Sequence, residues 1–166
     1  LTALPDPNPN ADAADCTGVL FNICGTLNIT NSTIYGGRQA VIVRCGTANI
    51  TNSTLVKTSA VKDSEIDKKK DYTVSDWEDG NRVVASVLTI GNYKEGASAS
   101  YAEDAAVTLS KVTLTRQEGD RMPTVYLGSN ADYSASLSCS DESVAKTDIG
   151  YSGTSCYFNS ELLTGE

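Results

Sequence analysis

The sequence contains no histidine, and that absence removes Ser-His-Asp triads, Cys-His pairs and every histidine-containing metal site from consideration. Nowhere do roughly 20 consecutive apolar residues occur, the length a membrane-spanning helix requires, so no membrane insertion is expected. Basic residues are outnumbered, 13 against 21 acidic, for a formal charge of -8. Such a chain repels nucleic acid and anionic membrane surfaces, and no nucleic-acid partner is expected. Five cysteines are present but no C-x-x-C pair, so the spacing points to neither zinc nor a redox motif. The chain begins at Leu1 with no basic segment followed by an apolar run, which reads as a piece of a longer protein with neighbouring domains. At 166 residues and 40% hydrophobic content it has enough apolar material for a core and is long enough for one or two domains.

What is present is repetition. Cys24-Gly25-Thr26-Leu27-Asn28-Ile29-Thr30-Asn31-Ser32-Thr33-Ile34 returns as Cys45-Gly46-Thr47-Ala48-Asn49-Ile50-Thr51-Asn52-Ser53-Thr54-Leu55, 21 residues later with nine of eleven positions identical. A looser copy runs from Ala106 to Leu114, and a fourth opens at Thr124-Val125-Tyr126-Leu127 and continues through Ser134-Ala135-Ser136-Leu137. Apolar residues alternate with Asn and Thr within the copies, and β-branched residues abound, so each reads as strand with one buried face. Units of about twenty residues built from short strands and turns cannot bury their apolar faces alone; stacking at roughly 4.8 Å per unit makes a continuous core. The expected fold class is therefore all-β, a β-solenoid of about four coils of about 21 residues with loop insertions. Stacking would set Asn28 over Asn49 and Asn31 over Asn52 as amide ladders, Ile29, Ile50 and Leu109 inside, and Cys24 over Cys45 as thiols.

These G-T-x-N-I-T-N-S-T-[IL] units resemble the right-handed parallel β-helix proteins of the pectate-lyase-like superfamily, especially bacterial surface proteins, over about residues 16–140. The resemblance implies a right-handed parallel β-helix. It leaves activity open, because that superfamily holds polysaccharide lyases, glycoside hydrolases and non-catalytic adhesins.

Along the chain, residues 1–15 hold three of the four prolines and read as a linker or N-terminal cap. Residues 16–140 form the repeat region, and residues 141–166 a C-terminal cap or the start of a next domain. Between Lys57 and Arg82, thirteen charged residues crowd into 26 positions, which predicts an insertion at 57–82. A smaller one is expected at 93–104. Loops inserted on a regular scaffold are where binding and catalysis usually reside. The first insertion carries Asp76-Trp77-Glu78-Asp79-Gly80-Asn81-Arg82, with the only tryptophan and with Tyr72 close by. An exposed Trp77 can stack on the apolar face of a sugar while Asp76, Glu78, Asp79 and Arg82 bond its hydroxyls. The competing reading is that Trp77 anchors the insertion and the charges are solvated.

Catalysis on polysaccharide needs two convergent carboxylates, or calcium-binding acids with a basic residue. The acids here fall mostly in turns rather than on strands, which argues against an enzyme and names no catalytic residue. Calcium is the one metal in play, but Asp76 to Arg82 lacks the spaced D-x-D-x-D-G pattern with a distal Glu, so no cofactor is expected. Cys139 and Cys156 flank a loop and are candidates for a disulfide. The functional expectation is a non-catalytic module of an extracellular or cell-surface protein, an adhesin-type platform or stalk that binds glycan or a host surface protein through inserted loops. The alternative is a fragment of a polysaccharide lyase or glycoside hydrolase.

Overall fold

The fold comes from a computed structural model, which describes residues 17–21, 24–60, 86–91, 103–120, 122–141 and 143–164. In chain order its strands are β1 (Thr17–Phe21), β2 (Thr26–Thr30), β3 (Thr33–Gly36), β4 (Gln39–Val43), β5 (Gly46–Lys57) and β6 (Leu88–Gly91). They continue with β7 (Ala105–Thr115), β8 (Val125–Gly128), β9 (Ala135–Cys139), β10 (Ile149–Ser152), β11 (Cys156–Phe158) and β12 (Glu161–Leu162). One sheet has five strands in the order β1-β4-β6-β8-β10, and the other has seven, β2-β5-β7-β9-β11-β12 with β3 beside β5. Every pairing is parallel except β11 with β12, an antiparallel turn at the end of the longer sheet.

The two sheets differ in how their sequences read. The strands β4, β6 and β8 (QAVIV, LTIG and VYLG) are buried at every position, as expected for parallel strands covered on both faces. The strands β5, β7 and β9 alternate between buried and more open residues, so one face meets the core and the other is polar. Register explains the core directly: Ile29 lies opposite Ile50, Ile50 opposite Leu109 and Leu109 opposite Cys139. Those residues join Val41, Val43, Leu88, Ile90, Val125 and Leu127 of the other sheet in one apolar cluster. Each fully buried Ile, Leu or Val there stabilises the fold by about 1.5–3 kcal/mol relative to exposure.

The TNST segments make the bends. Asn31 and Asn52 have φ of 50° and 48°, and Lys111, the next residue in the same register, has φ of 53°. Asparagine tolerates this left-handed backbone better than other residues with a side chain. The bends are tied together by hydrogen bonds: Asn31 N–H donates to Thr51 O at 3.1 Å, and Thr54 N–H to Ser32 O at 2.8 Å. Ser32 N–H also donates to Ser53 Oγ at 3.1 Å. On the polar face Asn49 Nδ2 donates to Asn28 Oδ1 at 3.0 Å, the first rung of the expected amide ladder.

The expected right-handed parallel β-helix, a solenoid of about four coils of about 21 residues with loop insertions, is corrected by this arrangement. The molecule is built as two sheets of five and seven strands with mixed pairing. Its register offsets are also far from a constant 21. Thr26 lies opposite Thr47, an offset of 21, but Gly46 lies opposite Ala105, an offset of 59. Ala105 then lies opposite Ala135, an offset of 30. The near-identity of two adjacent copies reports only the first interval; the looser copy at 106–114 reports the second, with Ile50 opposite Leu109. Beyond Asp141, β10 pairs with β8 and β11 with β9, so the C-terminal residues extend both sheets.

Candidate functional site

The residues singled out for ligand binding, Tyr72, Asp76, Trp77, Glu78, Asp79 and Arg82, all lie outside the described residues. The Cys139–Cys156 bridge is not formed. Cys156 lies opposite Ala135, four residues before Cys139; at about 3.3 Å per residue along a strand that separation is about 13 Å, well beyond the roughly 7 Å limit for a disulfide. Both are buried thiols, Cys139 donating to Asp141 O at 2.7 Å and Cys156 to Ser152 O at 3.1 Å. Burial pushes the Cys156 thiol pKa up. The stacked pair expected at the start of the repeat is present: Cys24 Sγ lies 3.3 Å from Cys45 Sγ. Burial first, and the neighbouring Cys24 second, push Cys45 up to about 12, so it stays a thiol at neutral pH.

The described surface carries a shallow cleft of about 490 Å³ lined by Gly46, Thr47, Glu103, Asp104, Ala106, Asp132 and Tyr133. Its construction follows from strand register. Glu103 and Asp104 immediately precede β7, Asp132 and Tyr133 closely precede β9, and Ala105 lies opposite Ala135, so the two lead-in segments run side by side. Ala105 N–H donates to Ser134 O at 3.0 Å, Ser134 N–H to Asp104 Oδ1 at 2.7 Å, and Gly46 N–H to Asp104 O at 2.9 Å. The other wall is an Asx turn in which Asn130 Oδ1 accepts from the Asp132 and Tyr133 N–H groups, each at 2.8 Å. Gly46 has φ of 78°, and a Cβ there would come within 2.6 Å of Gly25 O, so only glycine fits this floor.

The result is an open concavity with three carboxylates and one half-buried tyrosine ring, and no lysine or arginine among its lining residues. Such a site accepts hydrogen bonds from hydroxyl or ammonium groups and offers an aromatic face. Among the described residues no group of three or more Cys, Asp or Glu side chains converges on a metal position.

A second cleft, about 420 Å³, is lined by residues that include Arg116, Asp120, Pro123 and Asp148. Behind it lies a charge pair that the sequence reading missed. Lys57, the last residue of β5, has its side chain 0% exposed, and its Nζ lies 2.6 Å from Oδ2 of Asp120, whose side chain is 1% exposed. Burial lowers the Lys57 pKa, and the Asp120 carboxylate opposes that shift. Met122 N–H donates to the other Asp120 oxygen at 3.2 Å, Arg116 Nη1 donates to Met122 O, and Arg116 Nη2 lies 3.3 Å from Asp148 Oδ1. Charge crowding puts Lys57 at the start of the insertion expected at 57–82, where a solvated side chain is the ordinary reading. The available signal was position: Lys57 continues the buried parity of β5 after Ser53 and Leu55.

Comparison of the chain with family models, with curated proteins and with solved structures gave no match in any of the three. The likeness to the pectate-lyase-like superfamily therefore has no independent support.

Proposed function

We propose that the chain is a non-catalytic module of an extracellular, cell-surface protein: an adhesin-type platform whose outer face binds glycan. The observation that carries this reading is the Glu103–Asp104–Asp132 cleft with Tyr133 on its wall. One of its acceptors, the Asp104 carboxylate, is held by the Ser134 N–H, so that group needs little ordering on binding. A pyranose suits it, because the hydroxyls donate to carboxylates and an apolar ring face lies against tyrosine. The same acids lie in an open, solvated concavity, a poor place for the dry, rigid pairing that glycoside hydrolysis requires. The tryptophan-bearing segment 76–82 is the second candidate contact.

A glycan array with the intact chain and with Tyr133→Ala, Asp132→Asn and Trp77→Ala variants tests this. Binding to a defined glycan class, weakened at least tenfold by Tyr133→Ala or Asp132→Asn, is the expected result. Loss with Trp77→Ala alone moves the site to the inserted segment. Absence of binding by every protein leaves a stalk, and shortened glycans after incubation establish an enzyme instead.

A further inference from the structure

The ion pair between Lys57 and Asp120 is arranged as a reactant pair. The two side chains come from segments 63 residues apart in sequence and meet with Nζ 2.6 Å from Oδ2. The Asp120 carbon therefore lies near the range of about 3–3.5 Å at which bound groups are poised to react. Both side chains are essentially inaccessible to solvent, so the amine is shielded from the hydration that makes an exposed lysine a poor nucleophile. Met122 N–H, 3.2 Å from Oδ1, points at the oxygen on which negative charge would develop during attack. Arg116 holds that amide in place by bonding Met122 O, and Asp148 in turn holds Arg116.

We propose that Lys57 and Asp120 condense to an intramolecular amide, a covalent cross-link between the end of β5 and the turn after β7. The ammonium first gives one proton to Oδ2, leaving a neutral amine and a neutral carboxylic acid. The nitrogen lone pair attacks Cγ, forming the N–C bond and placing charge on Oδ1 beside Met122 N–H. A second proton passes from nitrogen to the Oδ2 hydroxyl, the C–Oδ2 bond breaks, and water leaves. The amide nitrogen keeps the third proton. No oxidant, metal or other reactant is consumed. Asp120 also lines the open 420 Å³ cleft, which gives the released water a route out. Burial of Lys57 favours the neutral amine from which attack proceeds. The bond would close a long loop across both sheets, a benefit to any module that transmits load between neighbouring domains.

The test is mass spectrometry on the full chain, reduced and denatured. The expected mass is about 18 Da below that of the sequence, the loss of one water. Trypsin is expected not to cut after Lys57, and digestion should yield a branched peptide joining the Lys57 segment to the Asp120 segment. Lys57→Met and Asp120→Ala variants should each show the full sequence mass whether or not they fold, since either lacks one reactant. A wild-type chain at full mass that is cleaved normally after Lys57 overturns the proposal. So does a water deficit that fragmentation maps elsewhere, such as cyclisation at Asp79-Gly80.

Discussion

At the scale of single residues, the acids of this chain do different work according to their surroundings. Asp120 is buried against a lysine, Asp104 fixes a strand lead-in, and Asp141 caps a bend. Asp141 accepts from Ser143 Oγ, from Lys111 N–H and from the Cys139 thiol, and these bonds, Ser143 first, hold its pKa down at about 2 from the ordinary 3.8. A carboxyl group depressed on folding contributes stability that is complete above its unfolded value and is lost as pH falls through its folded value. Wild type should therefore be more stable than Asp141→Asn above about pH 4, and the difference should close between about pH 4 and pH 2. Urea midpoints measured for both proteins across that range check this; parallel curves would mean that the carboxylate adds nothing. None of this could be read from sequence, because Asp141 comes within reach of Lys111 only through the pairing of β7 with β9.

At the scale of elements, the bends at Asn31, Asn52 and Lys111 repeat one backbone geometry with different residues. Asn31, Asn52 and Lys111 occupy one register position and share a φ near 50°. Asparagine suits that conformation, whereas lysine bears the steric penalty of a Cβ in left-handed backbone. Lys111 is exposed, so replacing it removes little packing. Lys111→Asn is predicted to raise stability by about 0.5–1 kcal/mol, read as a higher urea midpoint with an unchanged denaturant slope. The same position shows what was legible in the sequence. The strand assignments, the inward row from Ile29 to Leu109 and the Asn28–Asn49 contact follow from alternation and from two near-identical copies. The spacing of 59 was legible as well, from the looser copy that follows the charged stretch, whereas the spacing of 30 between β7 and β9 was not, since no near-identical copy marks Ala135 as the partner of Ala105.

At the scale of the whole molecule, the irregular spacing separates the scaffold from what it carries. Two residues, Gly37 and Arg38, take the chain from Gly36, the end of β3, to Gln39, the start of β4. One rung on, Lys57 lies opposite Gly36, and Leu88 lies opposite Val41. Ser59 N–H donates to Gly37 O at 3.1 Å and Ala40 N–H to Val87 O at 3.0 Å. Hence Thr58-Ser59 and Ser86-Val87 already trace the path of Gly37-Arg38-Gln39-Ala40. Joining Ser59 directly to Ser86 should leave the β-sheet circular dichroism and cooperative unfolding intact, and shortening the loop should if anything stabilise the chain slightly. This deletion also divides the two candidate glycan contacts in a way that point variants cannot. It removes Trp77 with every neighbouring charge while sparing Glu103, Asp104, Asp132 and Tyr133. Retained glycan binding by a folded deletion protein would assign recognition to the cleft between β7 and β9. Loss of binding with the fold preserved would assign it to the inserted segment, and a protein that no longer unfolds cooperatively would show that the segment belongs to the core after all.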